Sequence, residues 1–117
     1  MIRTNVNEVN AYSGIVEAGD FVFLSFCVGN TEGSLEQQVH GALNDMEQRL
    51  NQIHLTLEHV VKMDVLMTNA WNLPVVEQVF RERFNGQYPA RKTIQTEFAH
   101  VGLQIQIDAI AYKKYSM

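Results

Sequence analysis

Cysteine is nearly absent from this chain of 117 residues: Cys27 stands alone, so no disulfide framework can form within it. Proline occurs twice and glycine seven times, which excludes a Pro/Gly-rich disordered or collagen-like chain. No apolar run approaches the roughly 20 residues of a membrane-spanning helix, and Met1-Ile2-Arg3-Thr4-Asn5 has no apolar leader core. A lone cysteine without a leader predicts a reducing, cytoplasmic setting and no membrane partner. A basic cluster is missing too. The densest basic spots are Arg81/Arg83, Arg91/Lys92 and Lys113/Lys114, in a chain of net charge −4. That balance lacks the electrostatic footprint of a nucleic-acid partner. His40, His54, His59 and His100 form no i, i+4 pair and there is no Cys-x-x-Cys, so no metal site is expected. Ser25 has no Gly-x-Ser-x-Gly elbow around it, and Gly29-Asn30-Thr31-Glu32-Gly33 lacks the Lys-Ser/Thr of a phosphate loop.

What is present is ordinary globular composition, 46% apolar and 19% charged, in one domain's length, residues 1–117. Hydrophobic period changes from element to element. Residues 12–28 read as two strands turning at Gly19-Asp20. Ser34 and Gln37 form a capping box ahead of Leu35, Val39, Leu43, Met46, Leu50 and Ile53, spaced for one helix face. Period two returns over 59–68, with Val61, Met63, Val65 and Met67 expected on one face. Asn72-Leu73-Pro74 opens a second helix striped by Val76, Val79, Phe80 and Phe84, and Asn85-Gly86 ends it. Strands follow at about 92–98 and 103–112. The predicted order is β-β-α-β-α-β-β, an α/β (α+β) domain with two helices on one face of a mixed sheet. The uncovered face is a mixture of apolar and uncharged polar residues, which points to a subunit interface.

Arg91 is the residue best placed for chemistry. Pro89 fixes the backbone before it, at the entrance to a strand, so the guanidinium belongs to a sheet edge or cleft. A guanidinium binds a carboxylate bidentately, fixing orientation as well as charge. Taken alone, a solvated charge or a structural ion pair is the better explanation of it. Cys27, inside an apolar run, reads as an inert core or interface thiol.

Pro89-Ala90-Arg91, followed in the last strand by Ile105-Gln106-Ile107-Asp108-Ala109-Ile110-Ala111, resembles the reactive-intermediate deaminase (RidA, or YjgF) family. Ala11-Tyr12-Ser13 resembles its Pro-Tyr-Ser, and Phe23-Leu24-Ser25 the strand carrying its active-site serine. Gln37, Asn44, Val60-Val61-Lys62 and Phe80 also fall in its pattern, so the resemblance covers about residues 11–112. It implies a homotrimer of chorismate-mutase-like subunits with pockets between them. The implied activity is hydrolysis of enamines or imines such as 2-aminoacrylate to a 2-oxo acid and ammonia, without metal or cofactor.

By position, the resemblance makes Arg91 the anchor of the substrate carboxylate, with Tyr12 bordering the pocket, Ser25 offering a hydroxyl and the Thr93 backbone holding the substrate. The family's water-orienting glutamate falls at Gln106, an amide that hydrogen-bonds water but transfers no proton. Phe26 replaces a glycine of the family's Ser-Gly-Gln, Asn10-Ala11 replaces Gly-Pro, and Pro74 stands where an asparagine is expected. Asp108 shares a strand face with Gln106; a cross-strand or interface hydrogen bond is the preferred reading for it. Gln106 and Phe26 are the features that favour an alternative, a non-catalytic trimeric module binding a small carboxylate.

Overall fold

Six strands form one mixed sheet in the computed structural model, which describes residues 1–114. The strands are β1 (Ile2–Asn7), β2 (Tyr12–Ala18), β3 (Phe21–Cys27), β4 (Val60–Met67), β5 (Ala90–Gln95) and β6 (Ile105–Tyr112). The helices are α1 (Leu35–Gln52) and α2 (Leu73–Phe84). The spatial order is β1-β2-β3-β6-β4-β5. β4 and β5 run parallel, joined through α2, and every other neighbouring pair is antiparallel. A parallel pair needs a long crossover, and the crossover helix covers one sheet face.

The predicted helix boundaries follow from their caps. Ser34 Oγ accepts from the Gln37 N–H at 3.2 Å, and Gln37 Oε1 accepts from the Ser34 N–H at 2.9 Å. α2 carries Pro74 in its first turn and stops where Asn85 turns left-handed at φ 52°, followed by Gly86 at φ 87°. Val39, Leu43, Met46 and Leu50 of α1 are buried, as are Val76, Val79, Phe80 and Phe84 of α2. They pack on Ile15, Val22, Leu24, Met63, Val65, Met67 and the alternate residues Ile105, Ile107, Ala109 and Ala111. Gly29 and Gly41 let α1 approach the chain leaving β3, since a Cβ on either would fall within contact of the other's backbone.

Three features differ from the sequence reading. β1 is additional; it is an exposed edge strand whose short alternation of Ile2, Thr4 and Val6 is easily passed over, and neither Ile2 nor Val6 is buried. Val61 does not share the face of Met63, Val65 and Met67. The β4–β6 register pairs Val60 with Ala111 and Lys62 with Ile110, so Val61 is the extra residue of a bulge and stays exposed while Val60 is buried. Finally, β5 begins at Ala90, so Arg91 lies within the strand.

A second bulge interrupts β3. Leu24 pairs with Ala109 and Cys27 with Ile107, which leaves Ser25 and Phe26 opposite Asp108. Phe26 is left-handed at φ 58°, a conformation suited to the glycine that the resemblance expects there. The Asp108 carboxylate accepts from the Phe26 N–H at 2.8 Å, the cross-strand role preferred for it. Arg49 of α1 closes the bulge from the helix side, donating to the carbonyls of Gly14 (3.0 Å), Ser25 (2.8 Å) and Phe26 (3.0 Å) and to Asp45 Oδ2 (2.7 Å).

Candidate active site at the β5 edge

β5 pairs only with β4, so it forms one edge of the sheet. Its register sets Arg91 opposite Met63 and Thr93 opposite Val65. Arg91 therefore stands on the helix-covered face, where α2 reaches the edge. Arg91 Nη2 donates to Glu77 Oε2 of α2 at 3.1 Å, and the two side chains keep 31% and 35% of their surface exposed. The pair lies in a cleft of about 420 Å³ with Met63, Phe80, Tyr88 and Pro89 as its apolar surfaces and Arg81 at its rim. Pro89 and the left-handed turn at Asn85-Gly86 bring the chain from α2 into β5, so one short connection supplies both the anchor and two apolar surfaces.

The other residues singled out from the sequence lie elsewhere in the chain. Tyr12 opens β2, four strand positions from β5, which at about 4.8 Å per strand is roughly 19 Å. It lines a polar groove of about 650 Å³ with Phe26, Asp45, Arg49 and Asn5. Its ring meets Phe26 edge-on at 6.2 Å, and Phe26 in turn lies 5.6 Å from the His100 ring. Ser25 faces the uncovered side of the sheet in a recess with Lys62, Asp64 and Asp108, and its Oγ donates to the Ser13 carbonyl at 3.0 Å. That bond commits the hydroxyl proton and leaves the oxygen as an acceptor. Gln106 pairs with Leu66, which pairs with Ile94, so it too lies on the uncovered face, opposite to the face of Arg91. The Thr93 hydroxyl is buried without a hydrogen-bond partner. Within one chain the structure thus brings together Arg91 and Glu77, and does not bring Tyr12, Ser25 or Gln106 to them.

Sequence reasoning missed Glu77 and Arg49. Glu77 sits beside the apolar stripe of α2, and only the α2–β5 connection reveals that it meets Arg91. Arg49 is 8% exposed although it is a charged residue next to the polar Gln48, and only its place beside buried Leu50 hints at that. Two residues of the family pattern have structural duties: Gln37 closes the capping box, and Asn44 accepts from Arg83 of α2 at 2.8 Å. Cys27 is fully buried, and burial pushes its thiol up to about 12 against the lowering pull of Arg49. Among the described residues no group of three or more His, Cys, Asp or Glu is placed to hold a metal ion. Among them, too, no helix is long and apolar enough to cross a membrane.

The family model described as Endoribonuclease L-PSP, that of the RidA/YjgF family, matches residues 3–113. This chain belongs to the RidA/YjgF family. A solved structure from Streptococcus pyogenes M1 GAS, described as a hypothetical protein of the yjgF family, is 52% identical. Each chain covers 97% of the other, with a TM-score of 0.94. A Mycobacterium tuberculosis family member is 26% identical with a TM-score of 0.81, over 86% of each chain. A human relative named 2-iminobutanoate/2-iminopropanoate deaminase is 24% identical over 110 residues, covering 88% of this chain and 80% of its own. The RidA/YjgF family therefore includes proteins named as imine deaminases, while its model carries the name of an endoribonuclease.

Proposed function

We propose that this RidA/YjgF protein hydrolyses reactive enamines or imines of the 2-aminoacrylate kind to 2-oxo acids and ammonia. The observation that carries the reading is the Arg91 guanidinium, held in a partly exposed cleft with apolar walls. A substrate of this class has a carboxylate next to its C=N carbon. A guanidinium offers five donors in a planar fork, and only one contact is taken by Glu77. The remaining donors suit a carboxylate, and the small apolar floor of Met63 and Phe80 suits a short side chain. An imine is already electrophilic, so holding it beside water supplies much of the rate.

The incomplete single-chain site favours a symmetric homotrimer. Tyr12 and Ser25 would then come from a neighbouring subunit to border Arg91, with the backbone of Thr93 along the β5 edge. Gln106 would orient water without exchanging protons. Net charge −4 disfavours RNA as substrate.

Release of 2-oxo acid from freshly generated 2-aminoacrylate tests the reading. Wild type is expected to accelerate it, and Arg91→Ala to lower kcat/KM about 100-fold, the loss of one charge-assisted contact pair. Thermal stability should change little, because a partly exposed ion pair is worth about 0–1 kcal/mol. The second reading is a carboxylate-binding module without turnover. It draws on Gln106 and on the bulk of Phe26, and it predicts that pyruvate raises Tm while no imine tried is hydrolysed.

A further inference from the structure

We propose that Glu77 is a catalytic acid–base residue of the Arg91 cleft; this rests on the deaminase reading above. Glu77 Oε2 lies 3.1 Å from Arg91 Nη2, so a substrate carboxylate held by the same guanidinium has its adjacent C=N carbon within a few ångström of the Glu77 oxygens. The residue expected to handle water, Gln106, is an amide on the opposite face of the sheet. Glu77 is the one carboxylate among the described residues lining the cleft. The other ionisable groups there are Arg91 from β5, Arg81 from α2 and Tyr88 from the connection between them. Arginine stays cationic in proteins, and a phenol ordinarily keeps its proton at neutral pH, so neither type exchanges protons readily there. Arg81 also has a partner outside the pair, donating to Gln78 Oε1 at 3.1 Å.

Glu77 is placed by a rigid element. Its neighbours Val76, Val79 and Phe80 are buried beneath α2, while the Glu77 side chain keeps 35% of its surface exposed. Such support holds a reacting group near its productive position.

2-Aminoacrylate first takes a proton from solvent at its methylene carbon, which turns the enamine into the iminium, and from there the chemistry balances with one water. Glu77 takes a proton from water as the water oxygen bonds to the iminium carbon, and the C=N π electrons move to nitrogen, giving a carbinolamine. The proton passes from Glu77 to that nitrogen. The C–N bond then breaks as the hydroxyl oxygen's electrons form C=O, and the hydroxyl proton leaves with ammonia as ammonium. Glu77 ends as the carboxylate it began as.

Glu77→Gln keeps the shape and an acceptor oxygen for Arg91 but cannot carry a proton. The test measures turnover of freshly generated 2-aminoacrylate, the pH dependence of that turnover, and pyruvate affinity by calorimetry. The expected result is turnover slowed by about 100-fold or more, loss of the acidic limb of the pH profile, and pyruvate affinity equal to or tighter than wild type. Glu77→Asp should retain part of the rate, and Gln106→Glu should not restore Glu77→Gln. If turnover and pyruvate affinity fall together, Glu77 only positions Arg91 and the catalytic role is overturned. If Arg91→Ala abolishes turnover and Glu77→Gln keeps it within about threefold, this inference fails alone. A wild type that hydrolyses no imine overturns the deaminase reading and this inference with it.

Discussion

Single residues in this protein separate into those whose type announces a role and those whose role depends on a partner. Arg91 is legible in the sequence only through the family resemblance of Pro89-Ala90-Arg91; taken alone it reads as a solvated charge or an ion pair, and the structure does pair it with Glu77. Glu77 is not legible, because a glutamate on a helix is ordinary until the strand it faces is known. Phe26 is legible only as an oddity, and the structure gives the reason: it holds a left-handed bulge position at φ 58°, compensated by the Asp108 carboxylate on its N–H and by ring contacts to Tyr12 and His100. Cys27 is the inert core thiol its apolar neighbours predict, and its burial has a pH consequence. Its pKa is near 9 before folding and about 12 in the folded chain. Between those values the unfolded chain gives up a proton that the folded chain retains, so stability falls as pH rises. The contribution is complete below about pH 9 and gone by about pH 12, with a slope of at most about 1.4 kcal/mol per pH unit. Urea midpoints of wild type and Cys27→Ala across pH 8–11 should show a shallower decline in the variant; equal slopes would sink the account.

At the scale of elements, periodicity and caps locate both helices and the strands β2, β3, β4 and β6, since each buries one face and declares it in its spacing; β5, expected at about 92–98, is exposed along most of its length and begins two residues earlier. What stays hidden in the sequence are the departures from regular pairing. β1 buries almost nothing, and the bulges at Val61 and Phe26 add a residue without changing composition. The β3 bulge needs a dedicated donor, because an irregular strand leaves carbonyls that its neighbour cannot satisfy. Arg49 supplies it, with Asp45 balancing its charge and accepting from the Val28 N–H at 3.2 Å. Arg49→Met should therefore destabilise the fold by about 3–5 kcal/mol, as removing one partner of a buried, hydrogen-bonded pair does. Chemical denaturation reads that loss directly, and a change below about 1 kcal/mol would mean that water replaces the guanidinium.

The whole molecule presents a sheet with helices on one side and little on the other. Phe21, Phe23 and Ile94 face the uncovered side with 45%, 43% and 41% of their surface exposed, and bulged Val61 keeps 45%. Fully hydrating that many large apolar groups on one face is unfavourable, at about 25 cal/mol per Å² of apolar area left in water. The sequence predicts apolar and uncharged polar residues on this face; the structure corrects that, because Lys62, Asp64 and Asp108 also stand there, with Lys62 paired to Asp64 at 3.3 Å, and no pattern within one chain specifies the symmetry of what covers it. The homotrimer proposed above would cover the exposed face and would bring a neighbour's Tyr12 to Arg91. Light scattering should give about 40 kDa, three chains of 13.4 kDa. Phe23→Asp, which buries a charge only if that face is covered, should yield a folded species of one chain's mass. If turnover needs Tyr12 and Ser25 of a neighbour, imine hydrolysis should vanish with the trimer although Arg91 and Glu77 are untouched. A monomeric Phe23→Asp variant that keeps wild-type kcat/KM would show instead that the β5 cleft is complete in one chain.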